Sequence, residues 1–165
     1  MIFETERLLI RKLILEDLEP FHQLENNSKV LKYATGEVKG FKENEKELIE
    51  LIAKYDKHLN DFWIYAVERK SDTKFLGTLA LVKDNIDDEI GYRFLEEYWG
   101  CGYGFELCEG VIKYCKQIGL NKIIAYCVDE NIASAKILAK LNFKIVDQFI
   151  SDDIKLPETK YKLDF

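Results

Sequence analysis

Three glycines fall within five residues, at Gly100, Gly102 and Gly104, between an apolar stretch over residues 89–95 and a segment in which Phe105, Cys108, Val111, Ile112, Cys115 and Ile118 recur at helical spacing. A strand, a glycine turn and a helix in that order constrain the chain more than any other stretch. Glycines let successive backbone N–H groups point into one concavity, and the helix that begins there adds its unpaired first-turn amides and positive dipole end. Such a turn suits a phosphate-bearing ligand. The other reading is a tight turn that only draws helix and strand together, and the glycines alone leave both open. A Walker A loop is excluded, because Gly104-Phe105-Glu106 offers neither the lysine nor the hydroxyl it needs. A dinucleotide fingerprint is excluded too, since the glycines run G-x-G-x-G well into the chain and not G-x-G-x-x-G near its start.

The rest of the chain builds outward from this unit. Residues 8–13 read as a first strand, and 15–24 as a helix with Leu18, Phe21 and Leu24 on one face and Pro20 in its first turn. The polar segment 25–41 is expected to be loop with a short helix over 30–33. Residues 43–59 form the clearest amphipathic pattern, with Leu48, Leu51, Ile52, Tyr55 and Leu59 in one stripe. Strands over 63–68 and 75–82 are joined by a polar turn, and Gly77 inside the second predicts a bulge or a close backbone approach. An acidic loop over 84–88 leads to the strand at 89, so three strands form a meander before the glycine turn. Gly119 stops the following helix, and 122–128 is a continuous apolar strand of the parallel, doubly covered kind. A helix over 131–141 and strands over 143–150 and 159–165 complete one α/β domain, residues 1–165, with a mixed central sheet of about seven strands flanked by helices.

Several motifs then fall into one order. Glu89-Ile90-Gly91-Tyr92 is followed by Tyr98-Trp99-Gly100-x-Gly102-Tyr103-Gly104-x-Glu106, and later by Asn131-Ile132-Ala133-Ser134 with Leu138 and Leu141-Asn142-Phe143. Together with Thr5-Glu6-Arg7-Leu8, Arg11 and Asp17, these resemble the GNAT superfamily of N-acetyltransferases, most closely its Rim-type branch of ribosomal-protein N-terminal acetyltransferases. The resemblance covers nearly the whole chain. It implies a GNAT-like fold with a βαβ core that binds acetyl-CoA as cosubstrate, and a primary amine, on a small molecule or a protein N-terminus, as acceptor.

The same resemblance implies roles for particular residues. Backbone amides of Cys101, Gly102, Tyr103, Gly104 and Phe105 would hold the pyrophosphate, Phe94 and Leu95 would lie along the pantetheine arm, and Asn131 would help to hold it. Ser134 would stand near the coenzyme sulfur and protonate the departing thiolate, with Tyr126 and Tyr103 as alternative acids. Asn131 and Ser134 also fit simple helix capping. Glu89 is the candidate base for the incoming ammonium, set against the reading of a solvated strand-edge carboxylate, and Asp87 or Asp88 could serve instead. The sequence departs from the family where Cys101 replaces a basic or polar residue, Phe105 a small one and Glu96 a proline; Glu96, Glu97 and Glu106 add repulsion toward a phosphate. A protein of this fold that binds coenzyme A without turning it over is the alternative function.

Composition narrows the remaining classes. A net charge of −6 argues against broad nucleic-acid binding. The four cysteines contain no C-x-x-C and lie far in sequence from His22 and His58, so no metal site is expected. Cys108 and Cys115, seven apart on a helix, read as core residues, and Cys101 has no base partner that would make it a nucleophile. No apolar run reaches the length of a membrane span and no signal-peptide core is visible, so a cytoplasmic protein without membrane partners is expected. Monomer and homodimer both stay open.

Overall fold

In the segment Leu8–Lys12, alternate side chains turn inward, and Leu8 and Ile10 are fully buried, as a strand covered on one face requires. The computed structural model describes all residues, Met1–Phe165, and repeats this pattern in one sheet of eight strands. The strands are β1 (Phe3–Glu4), β2 (Leu8–Lys12), β3 (Phe62–Arg69), β4 (Phe75–Asp84), β5 (Asp87–Phe94), β6 (Lys122–Val128), β7 (Lys144–Ile150) and β8 (Pro157–Asp164). The helices are α1 (Leu18–Glu25), α2 (Ser28–Leu31), α3 (Phe41–Lys54), α4 (Tyr103–Gln117) and α5 (Ile132–Lys140). Spatial order is β1-β2-β3-β4-β5-β6-β8-β7, antiparallel throughout except between β5 and β6.

The sheet separates two cores. On one face Leu107, Val111 and Cys115 of α4 pack with Leu8, Ile10, Leu76 and Ile123; on the other Phe21 and Leu24 of α1 and Leu48 and Leu51 of α3 pack with Ala66, Phe75 and Leu95. Each helix thus buries the apolar stripe its spacing announced. Burial pushes the thiols of Cys108 and Cys115 up to about 12, in keeping with their reading as core residues.

The short helix expected over 30–33 lies at Ser28–Leu31, the loop expected over 84–88 shrinks to residues 85–86 between β4 and β5, and two further features depart from the sequence reading. The sheet has an eighth strand, Phe3–Glu4, which is two residues long and so shows no periodicity to read. The long amphipathic helix ends at Lys54 and not at residue 59; Leu59 has φ 59° and is 87% exposed, outside the apolar stripe. Tyr55 explains the stop. Its hydroxyl donates to the Ile64 carbonyl and accepts the Leu13 N–H at 2.9 Å, tying the end of the helix to both neighbouring strands.

Gly77 stands opposite a register shift between Val67 and Glu68, and a Cβ placed there would lie 1.9 Å from the Arg93 carbonyl oxygen. The bulge and the close backbone approach expected of this glycine are both present. Because the obstacle is main chain in the middle of the sheet, Gly77→Ala is expected to cost about 3 kcal/mol. Chemical denaturation that gives less than about 1 kcal/mol would show that β4 and β5 can part locally.

Candidate active site

The site begins where two neighbouring strands separate. β5 stays paired with β4 as far as Phe94, and β6 stays paired with β8 to Val128, yet β5 and β6 are in register only at Glu89 and Ile124. Beyond that point they splay. The Leu95 N–H bonds to the Leu76 carbonyl at 2.9 Å, so ladder alternation turns Gly91 and Arg93 toward β4 and leaves the main-chain groups of Tyr92 and the Phe94 N–H facing the gap. The Phe94 carbonyl is taken by the Trp99 indole N–H at 2.8 Å. A strand edge with free hydrogen-bonding groups inside a cleft is a template for an extended ligand.

The glycine turn lies at the end of this edge. Gly100 and Gly102 have φ of 73° and 81°, which only glycine adopts without strain. The first main-chain bond of α4 runs from the Glu106 N–H to the Gly102 carbonyl at 3.2 Å, and the amides of residues 101–105 find no acceptor within the chain. Five free N–H groups at the positive end of a 15-residue helix form an anion cradle. A Cβ added at Gly100 would meet nothing within 4 Å, so the cradle has room for a ligand.

One cavity of about 1520 Å³ joins the gap and the turn. Of the residues singled out in the sequence, Glu89, Phe94, Gly102, Tyr103, Gly104, Phe105, Asn131 and Ser134 line it together. Leu95 and Cys101 do not. The Leu95 N–H is committed to β4 and its side chain is buried with Phe21 and Leu24, which corrects its expected place along the ligand. The exposed Cys101 thiol donates to the Trp99 carbonyl at 3.6 Å, so only its backbone belongs to the turn.

Charge around the turn is better balanced than the sequence suggests. Glu106 accepts from the Thr5 hydroxyl at 2.6 Å, the Arg7 N–H at 2.7 Å and the Arg7 guanidinium at 2.6 Å, while Arg7 also donates to the Cys101 carbonyl at 3.1 Å. Glu96 is paired with Lys29 at 2.6 Å. The repulsion expected from these two carboxylates is therefore largely offset. Arg7 was visible only as part of an N-terminal motif; nothing in its spacing announces that it reaches a turn some ninety residues away.

Glu89 projects into the cavity from the last residue that β5 shares with β6 and forms no ion pair. Burial, with Asp84 and Glu158 nearby, raises its carboxyl to about 7, and Lys160 opposes the rise. Asp87 and Asp88 are not its equals. Asp87 is held below the usual carboxylate range by Lys122 at 2.6 Å and Lys160 at 3.4 Å, Asp88 is paired with Lys83 at 2.9 Å, and neither lines the cavity.

Asn131 caps α5 by accepting the Ser134 N–H at 3.3 Å, so the capping reading holds and the Ser134 hydroxyl is left for other work. That hydroxyl sits beside the Tyr92 hydroxyl and the Cys127 thiol. Tyr92 was missed as a candidate. Its proton is held tightly, because burial raises its pKa while Ser134 opposes the rise. The two alternative acids are engaged elsewhere: Tyr126 donates to Asp84 at 2.5 Å, and the Tyr103 hydroxyl faces Arg69 at 3.5 Å within the core. No group of three or more His, Cys, Asp or Glu side chains is placed to hold a metal ion.

Comparison with known proteins agrees with this geometry. Residues 7–144 match the family model described as acetyltransferase (GNAT) domain. The uncharacterized N-acetyltransferase YoaA of Bacillus subtilis is 29% identical over 148 residues, covering 87% of this chain and 82% of its own. A GNAT-family acetyltransferase of Bacillus anthracis superposes with a TM-score of 0.85 at 24% identity, covering 98% and 97% of the two chains. An acetyltransferase of Salmonella typhimurium that modifies the N-terminal serine of ribosomal protein L7/L12 gives a TM-score of 0.82 at 15% identity, covering 98% and 96%. Other proteins of this fold were solved with acetyl-CoA or coenzyme A bound.

Proposed function

This chain belongs to the GNAT family of acetyltransferases, and from that premise we propose that it acetylates a primary amine, with Glu89 as the base and the 101–105 amides as the coenzyme's anchor. It is an acetyl-CoA-dependent acetyltransferase, with residues 7–144 matching the family's domain. The observation that carries the reading is a single cavity in which a strand edge, five free amides and an unpaired carboxylate meet.

The residues fit the coenzyme by size and by chemistry. The Tyr103, Gly104 and Phe105 amides and those before them would bind the diphosphate, while the Tyr92 and Phe94 main chain and the capped Asn131 turn would hold the amide-bearing arm in the gap. The bound coenzyme supplies an acetyl thioester, whose C–S bond breaks as the C–N bond of the product forms, the electron pair leaving on sulfur. Glu89 removes a proton from the acceptor ammonium. Ser134, beside Tyr92, delivers a proton to the sulfur and regains one from the nitrogen, which sheds its second proton as the C–N bond forms. The Tyr92 N–H faces the gap beyond the one β5–β6 register pair, where it would donate to the thioester oxygen.

Solved proteins of this fold act on a ribosomal-protein N-terminus or on spermidine, so the fold does not choose the acceptor. Thiol release from acetyl-CoA against a panel of primary amines tests the reading. Turnover on at least one amine is expected; coenzyme binding without turnover on any would support a non-catalytic protein instead.

Gly91 offers a second test. It lies on β5 between Glu89 and Arg93, lines the cavity, and an added Cβ would meet nothing within 4 Å. Gly91→Val suits the strand but fills the cleft beside Glu89. The amine KM is expected to rise at least about tenfold, equivalent to about 1.4 kcal/mol, with little change in melting temperature. An unchanged KM would place the acceptor on another path.

A further inference from the structure

The cavity's free charge is all of one sign. Every basic residue that lines it is already paired: Lys29 with Glu96 at 2.6 Å, Lys32 with Glu130 at 3.9 Å, and Arg93 with the buried Glu25 at 2.7 Å. Four lining carboxylates, those of Glu89, Asp152, Asp153 and Glu158, form no ion pair. Glu158 lies close enough to Glu89 to raise its pKa, and Asp153 does the same to Glu158, so the charges run in sequence along one wall. Low-dielectric walls strengthen such a field within a cleft.

A second observation lies on the turn that joins β7 to β8. Ser151 is 3% exposed, lines the cavity, and its hydroxyl oxygen has no hydrogen-bond partner. The backbone of the same residue is satisfied, its N–H bonded to the Leu156 carbonyl at 2.9 Å and its carbonyl to the Lys155 N–H at 3.1 Å. Only the side chain is left wanting a partner. The turn is also held in place, since Ile154 packs against Gly36 in the loop between α2 and α3, with 3.3 Å to a Cβ placed there. A buried hydroxyl without a partner beside two free carboxylates is a ready seat for an ammonium group.

We propose that the acceptor is a small di- or polycationic amine, its reacting nitrogen at Glu89 and a second ammonium group held by Ser151, Asp152 and Asp153. The inference rests on the acetyl-transfer reading of the cavity and adds the class of acceptor to it. One nitrogen gives a proton to Glu89, forms the C–N bond while the C–S bond breaks, and passes its second proton by way of Ser134 to the sulfur; the other keeps its charge and anchors the molecule. A monoamine would leave the Asp152 and Asp153 carboxylates, which form no ion pair with Lys155 of the same turn, without an ammonium partner, and an acidic peptide would be repelled by them.

Purified full-length protein and acetyl-CoA, assayed by thiol release, distinguish the alternatives with 1,4-diaminobutane, spermidine, n-butylamine and a tetrapeptide of neutral side chains. The polycations are expected to exceed n-butylamine in kcat/KM at least about tenfold, with the ratio shrinking as salt is raised. Asp152→Asn combined with Asp153→Asn is expected to bring that ratio toward one, and Ser151→Ala to lower it in the same direction. Equal kcat/KM for diamine and monoamine, or a tetrapeptide preferred to both, overturns the proposal while leaving acetyl transfer intact. Calorimetric titration with coenzyme A reads the underlying assignment separately: no binding there removes the transfer reading, whatever the amines do.

Discussion

Glu89→Gln is expected to lower kcat/KM at pH 7 by about 100-fold or more while making the protein more stable at pH 8. The two effects have one source. A carboxylate that is buried near Asp84 and Glu158 accepts a proton readily, which suits a base, and resists ionisation, which strains the native state. Its carboxyl titrates at about 7 in the fold against an ordinary 4.5, so the native state holds this proton more tightly than the unfolded chain does. The resulting stabilisation is complete below pH 4.5 and is lost as pH climbs through 7. The difference corresponds to about 3 kcal/mol, which Gln does not forfeit at high pH. At pH 8 the variant should therefore melt higher by about 5 to 10 °C, and at pH 4 the advantage should vanish. Activity has the opposite dependence. Wild-type kcat/KM should rise tenfold per pH unit below 7 and flatten above it, whereas the variant should lack that inflection and recover only as the amine itself deprotonates. A variant that loses activity equally at every pH, or that melts no higher at pH 8, would leave Glu89 without the role assigned to it.

Much of this was legible in the chain, because the signals are local. The glycines, the helical spacing after them and the apolar run over 122–128 each reflect a neighbour's packing within a few residues, and the β5-α4-β6 unit follows them closely. What the sequence could not show is register. Whether β5 and β6 part after Glu89 depends on how far each strand is claimed by its antiparallel partner, β4 or β8, which no residue in either strand records. Pairings across long separations were hidden for the same reason: Arg7 with Glu106, Tyr92 with Ser134, and the β7–β8 turn with the cavity that holds Glu89. Leu95 shows the cost of one residue. Phe94 and Leu95 read alike in an apolar run, yet strand alternation sends them into different cores on opposite faces of the sheet, and only Phe94 also borders the cavity.

The coenzyme's anchor is tested most severely by Gly102→Asp, which is expected to weaken coenzyme A binding by about 100-fold or more and to leave the fold standing. Gly102 has φ 81°, so any side chain there costs about 1 kcal/mol, less for aspartate than for most residues. The nearest atom to its Cβ would be the Arg7 guanidinium at 3.5 Å, a flexible group that can move aside or pair with the new carboxylate. Melting temperature should accordingly fall by only a few degrees. The ligand meets a different situation. The carboxylate would accept bonds from the free 101–105 amides and stand where a diphosphate must approach; at a separation of about 5 Å and an effective dielectric of about 20 the repulsion is about 3 kcal/mol. Gly102→Ala separates the causes, since it carries the same backbone strain without the charge and should weaken binding only a few-fold. The aspartate penalty, unlike the alanine one, should also shrink in high salt, because Arg7 and solvent ions screen it. Unchanged coenzyme affinity in the aspartate variant would mean that the free amides at the head of α4 face no phosphate, and the cavity would then need another occupant to explain its shape.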